Sequence, residues 1–157
     1  MTEQFTFFWN GPFSQWHASP FEIDSIKFVN AEQFMMHQKA LLFGDEEVAT
    51  MILATKNPRE QKAYGRKVRD FDATIWSEKA KEVVKEGSMA KFSQNPNLLE
   101  ELAATKGTTL VEASPYDTIW GIGLSEWEED ATDRTKWKGT NWLGEILTEV
   151  RIEICGE

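Results

Sequence analysis

The chain has 157 residues, 41% of them hydrophobic and 27% charged, which fits one domain built around one sizeable core. A net charge of −9 repels phosphate backbones at long range, so broad nucleic-acid binding is not expected, although a local basic pocket is compatible with it. Cys155 is the only cysteine and His17 and His37 the only histidines, which excludes an intrachain disulfide and leaves no cluster for a metal; no cofactor is expected either. The opening "MTEQFTFFWNGPF" lacks the basic and long apolar parts of a secretory leader. No stretch is apolar for long enough to span a membrane, so the cytoplasm is the expected compartment.

In chain order, "FTFFW" (5–9) is rich in β-formers and predicts a strand, broken by the turn signals Asn10-Gly11 and Gly11-Pro12. "FEIDSIKF" (21–28) splits into two alternating halves around Asp24-Ser25 and predicts a small hairpin. Asn30 can cap a helix over about 31–43 that stops at Gly44, and Asp45 can cap a second over 45–55. Asn57-Pro58 is a cap followed by proline at the first helical position, predicting a third helix that ends near Gly65. Trp76, Ala80, Val83, Val84, Met89 and Phe92 recur at helical spacing over about 75–93. Asn95-Pro96 opens a further helix closed by Gly107, and "TLVEA" (109–113) is a short strand. Residues 114–140 are long, aromatic and aperiodic, the pattern of a functional or disordered loop. The chain closes with a helix over 141–154 whose Leu143, Ile146, Leu147 and Val150 share a face. The expected fold is mainly α within the α+β class: one compact multihelical domain, residues 1–157, with a few short strands.

The stretch "NAEQFMMHQKA" (30–40) places an acid, an imidazole and an ammonium on a helix whose other side chains are core-like. Glu32 and Lys39 are seven apart and project from one face, while Gln33 and His37 share a neighbouring stripe. The plain reading is a solvated face; the sharper one is a carboxylate and an amine looking into one cleft. In "SPYDTIWGIGL", Asp117 stands near Trp120, and Gly121 and Gly123 allow close backbone approach to a ligand, though a turn with a packed tryptophan would look the same. In "WKGTNWLG", Asn141 would cap a helix whose N-terminus can hold a phosphate. Ser14 and Gln15 are polar handles between Phe13 and Trp16, and His17 reads as a surface or loop residue.

Taken together, these motifs and their order resemble the NADAR, or YbiA-like, family over nearly the whole chain, from about Phe8 to Arg151. The resemblance implies an α-rich single domain with N-glycosidase activity. One branch of the family cleaves ribosylamine intermediates of riboflavin biosynthesis, and another removes ADP-ribose from guanine bases in nucleic acid. By the resemblance, Glu32 and Lys39 fall on the family's acid and lysine, with Gln33 in place of the histidine common after the acid. Ser14, Gln15 and Trp16 match its Ser-Asn/Gln-aromatic loop, and Gly65-Arg66 its Gly-Arg pair. Asp117, Trp120 and Gly121 match its Trp-Gly loop, with Ile122 where some members carry an acid. Gly139, Asn141, Leu143 and Gly144 match "G-x-N-x-L-G". The resemblance makes Glu32, Lys39 and Asp117 the catalytic candidates and Ser14, Gln15, Trp16, Arg66, Trp120, Gly121 and Asn141 the substrate-binding ones.

N-glycosidic cleavage develops positive charge at C1′, which a carboxylate such as Glu32 can stabilise, unless it activates a water instead. Lys39 is either a cation holding phosphate or a neutral amine attacking C1′, and the second role needs a pKa lowered by burial, which a nearby Glu32 opposes. Trp16 and Trp120 are suited to stacking on a flat base, and Arg66 to clamping a phosphate. The acidic net charge favours a small phosphoribosylated heterocycle over a nucleic-acid strand, which would enter only as an ADP-ribosylated substrate. A non-catalytic ADP-ribose- or NAD-binding module is the reading from another class, and it does not explain why Glu32 and Lys39 occur together.

Overall fold

The computed structural model describes residues 2–157. In chain order these form β1 (Phe5–Phe8), β2 (Phe21–Ile23), β3 (Ile26–Phe28), α1 (Ala31–Leu42), α2 (Glu46–Leu53), α3 (Pro58–Gly65), α4 (Ala73–Gln94), α5 (Pro96–Ala103), β4 (Thr109–Glu112) and α6 (Trp142–Cys155). The chain is thus mainly helical with a few short strands, as its sequence predicts. Contacts divide it into two compact units, one of residues up to Ser14 together with Pro96–Glu157, the other of Gln15–Asn95.

In the first unit β1 pairs in parallel with β4, Phe5 opposite Thr109 and Phe8 opposite Glu112. Val111, Ile122, Leu124 and Ala131 form a buried cluster, with Phe5, Phe7 and Trp137 packed against it. The loop over 114–140 contains two short 3-10 turns, Glu129–Thr132 and Arg134–Lys136. All four residues of the predicted apolar face of α6 are buried. Its last turn is held by Arg151, whose fully buried guanidinium pairs with both carboxylate oxygens of Glu157, at 2.8 Å each, and donates to Thr105 O.

Asn141 does not cap α6 with its side chain as the sequence predicts. The residue is left-handed (φ 53°), and its amide is spent on β4: Oδ1 accepts from Glu112 N at 2.9 Å and Nδ2 donates to Leu110 O at 3.0 Å. The first amides of α6 find other acceptors, Trp142 N bonding Ile119 O and Leu143 N bonding Trp120 O. Two of the donors expected to hold a phosphate are therefore engaged by the loop.

The second unit holds the predicted hairpin. Asp24 and Ser25 are both left-handed (φ 51° and 68°), as a two-residue turn of matching twist requires, and Phe21 lies opposite Phe28. Both phenylalanines bury against Phe34 of α1. Asn30 caps α1 by accepting from Gln33 N at 2.7 Å. Its C-terminus closes as a Schellman turn, Gly44 N bonding Leu41 O and Asp45 N bonding Ala40 O. α1 packs on α2, α3 and α4. Gly87 in the middle of α4 is where the Phe34 ring lies, too close for a Cβ.

Candidate functional site

α1 is not the amphipathic helix with a solvated polar face that its charges allow. Glu32, Gln33 and His37 are all buried, at 7%, 2% and 4% exposure, because helices or strands cover α1 on several sides. Gln33 is fully committed to structure: Oε1 accepts from Val29 N, and Nε2 donates to Ile52 O and Thr55 O at 3.1 Å. It thereby ties the start of α1 to carbonyls at the end of α2. The His37 ring packs edge-on against Phe28, and burial lowers its pKa. Glu32 N donates to Gln15 O at 3.0 Å, so the strip carrying Gln15 and Trp16 is fastened to the first turn of α1. Gln15 Nε2 reaches Met35 Sδ, and Trp16 remains 41% exposed.

Lys39 is half-buried in the last turn of α1. Burial lowers its pKa most, the Glu32 carboxylate pulls it up, and the Arg66 guanidinium pushes it down. Glu32, Lys39 and Arg66 thus share one electrostatic neighbourhood. The sequence accounts for it locally. Gly65 ends α3 against Met36, whose sulfur occupies the space a Cβ would need. Met36 lies between Glu32 and Lys39 on the helix, at i+4 and i−3, so this close approach delivers the next residue, Arg66, to their stripe. The surface hollow on α4 lined by Ala73, Thr74, Ser77 and Glu78 contains none of these residues.

The remaining candidates lie in the first unit. Ser14 N closes a turn on Gly11 O. Asp117 Oδ1 accepts from Ile119 N at 2.9 Å and Trp120 N at 2.8 Å, so this oxygen shapes the turn that presents Trp120. The Trp120 ring stands nearly perpendicular to Trp142, centroids 5.5 Å apart. The close approach expected at Gly121 is to Glu112, whose backbone and carboxylate oxygens both lie 2.9 Å from where its Cβ would be. A side chain at Gly121 would collide with β4, and Asn141, with 0% exposure, is bonded to the same strand.

Sequence reasoning missed two residues, one beside Lys39 and one that anchors the loop carrying it. Phe71 places its ring 4.6 Å from Lys39 Nζ. Arg69 binds the buried cap residue Asp45 three times, through N, Nε and NH2 at 2.9, 3.2 and 2.8 Å. Neither has a periodic signature, since both sit in the short α3–α4 connection. Among the described residues no group of three or more His, Cys, Asp and Glu side chains is placed to hold a metal ion, and no helix is long and apolar enough to cross a membrane.

Residues 7–155 match the family model described as the NADAR domain. Protein irg-1 of Caenorhabditis elegans is 44% identical over 131 residues, which cover 82% of this chain and 62% of that protein. N-glycosidase R617 of Acanthamoeba polyphaga mimivirus is 42% identical over 146 residues, 90% of this chain and 86% of that one. The chloroplastic riboflavin biosynthesis protein PYRR of Zea mays is 31% identical over 94% of this chain, which spans only 21% of it. Among solved structures, the NMR structure of Escherichia coli YbiA superposes with a TM-score of 0.79 at 27% identity, covering 99% of this chain and 87% of that one.

Proposed function

The chain belongs to the NADAR domain family and to its N-glycosidase class, and from that premise we propose that it hydrolyses the N-glycosidic bond of a phosphoribosylated heterocycle, a ribosylamino-pyrimidine of the riboflavin pathway. The observation that carries the reading is the buried Glu32 carboxylate sharing one neighbourhood with Lys39 and Arg66. A binding module gains little from burying a carboxylate that acts on a half-buried lysine, whereas glycosidic cleavage uses both groups. The pathway assignment is supported by the likeness to PYRR and by the net charge of −9, which favours a small substrate over a strand. The reaction is assigned to the cytoplasm.

Glu32 stabilises positive charge growing at C1′ or activates the water that attacks it. Arg66 holds the substrate phosphate with its planar fork of donors. Trp16, exposed and fastened to the start of α1 through Gln15, stacks on the heterocycle. The lowered pKa of Lys39 favours its role as an amine over that of a permanent clamp. Neutral Nζ displaces the heterocycle at C1′, the proton it sheds going to the departing nitrogen; the sugar ring then opens to an imine, and water hydrolyses the imine to regenerate the amine and free sugar phosphate.

The test offers a phosphoribosylamino-pyrimidine and an ADP-ribosylated guanine side by side and identifies the products. Release of ribose 5-phosphate from the first is expected. Turnover of the second alone would make the chain an ADP-ribosyl glycohydrolase, and binding without turnover of either would make it a binding module.

A further inference from the structure

We propose that Phe71 is a positioning residue for Lys39: carried on a loop clamped by the Asp45–Arg69 pair, its ring face holds Nζ at one point. The connection from α3 to α4 is only a few residues long, yet it is tightly specified. Val68 is buried, and Arg69 is tied to Asp45 by its backbone amide and by two guanidinium nitrogens. Asp70 is left-handed (φ 60°), a conformation that disfavours most side chains and turns the chain sharply. Asp72 then caps α4 by accepting from Thr74 N and Ile75 N. Between two anchored residues, Phe71 is left 44% exposed, its ring set edge-on against Phe43 at 5.4 Å and facing Lys39 Nζ at 4.6 Å. The mount fixes where the ring meets Nζ, and that contact calls for a reason.

The chemistry of the contact supplies it. A carboxylate bonded directly to Nζ would fix the lysine but lock its proton on. An aromatic face also fixes an ammonium, through the ring quadrupole, yet accepts no proton and is left at small cost when the amine must become neutral. Phe71 therefore orients Nζ while leaving it free to change protonation state. The inference rests on the reading of Lys39 as a reacting or binding group in glycosidic cleavage, and the test separates the two.

In protein carrying [ε-13C]lysine, the Lys39 methylene protons should be displaced upfield by the Phe71 ring current, with Lys39→Arg used to assign the signal. Phe71→Leu should return that signal to the ordinary lysine position and lower kcat about three- to thirty-fold, with KM changed less than about two-fold. Phe71→Tyr should keep both the shift and the rate. Arg69→Gln, which frees the loop without touching the ring, should reproduce the Leu variant, and the double variant should be no worse than the poorer single one. An unshifted wild-type signal overturns the proposal, and so does a Phe71→Leu variant with wild-type kcat. A wild-type protein that turns over no ribosylated substrate overturns the glycosidase reading, while the NMR signal still decides whether Phe71 holds Lys39.

Discussion

Glu32 and Lys39 stand two helical turns apart on α1, and the carboxylate opposes the burial that lowers the lysine's pKa. Replacing Glu32 with Gln keeps the size of the side chain and removes both this pull and the charge proposed to face the cationic sugar. Activity should fall about 100- to 1000-fold, the loss typical of a preorganised electrostatic group. Circular dichroism should stay unchanged, and the Lys39 pKa should fall further. A variant within a few-fold of wild type would remove Glu32 from the mechanism.

Lys39→Arg distinguishes the amine from the clamp. Arginine keeps the positive charge but forms no imine, so the variant should be nearly inactive. Borohydride added during turnover of the wild type should leave a reduced sugar adduct on Lys39, read by mass spectrometry. An active arginine variant, with nothing trapped by borohydride, would make Lys39 a phosphate clamp.

Trp120 tests whether the loop of the first unit takes part in binding. Trp120→Ala should weaken substrate binding by about 1–3 kcal/mol if the indole stacks on a base, and ligand should change the tryptophan fluorescence. Because the ring also packs edge-on against Trp142, the variant's melting temperature must be measured as well. Normal affinity with a lower melting temperature would make Trp120 a packing residue.

The Asp45–Arg69 pair should govern acid stability. Hydrogen bonds from the Arg69 side chain, then from its backbone amide, hold the Asp45 carboxyl well below the usual carboxylate range. A folded-state value below the unfolded one means the unfolded chain takes up the proton first. The stabilisation is therefore complete above about pH 4 and is lost as pH falls below it toward the folded-state value. Thermal melts at pH 7 and pH 3 should show a smaller difference for Asp45→Asn than for wild type. An equal difference would show that the pair does not set acid stability.

Asn141→Ala should unfold at lower temperature, because it strands the amide of Glu112 and the carbonyl of Leu110. Each buried group left unpaired costs about 1–3 kcal/mol, which for a chain of this size is several degrees of melting temperature. If instead the melting temperature holds and only substrate affinity falls, Asn141 is a binding residue.

The helix starts were legible because their chemistry is local. Asn30, Asp45 and Asn57 each accept an amide two or three residues ahead, so the cap and the helix it opens lie within one turn of sequence. Asn141 has the same look and a different job. What decides is β4, about thirty residues away, whose backbone groups claim its amide, and that competition leaves no trace in the neighbouring residues. Glu32 and Lys39 could be singled out by spacing and resemblance. Their burial could not, because it depends on α2, α3 and α4 closing over α1. Phe71 was invisible for a related reason: its meaning comes from Arg69 reaching back 24 positions to Asp45.

The pairing of β1 with β4 has a consequence for how the chain is made. Thr6 and Thr108, whose hydroxyls meet at 2.7 Å, are 102 positions apart, so β1 leaves the ribosome long before its partner exists. Gln15–Asn95 is one continuous stretch and can collapse during that interval, while Phe5 and Phe7 wait with no strand beside them. Closing so long a loop is entropically slow, and an unpaired strand is open to the wrong neighbour meanwhile.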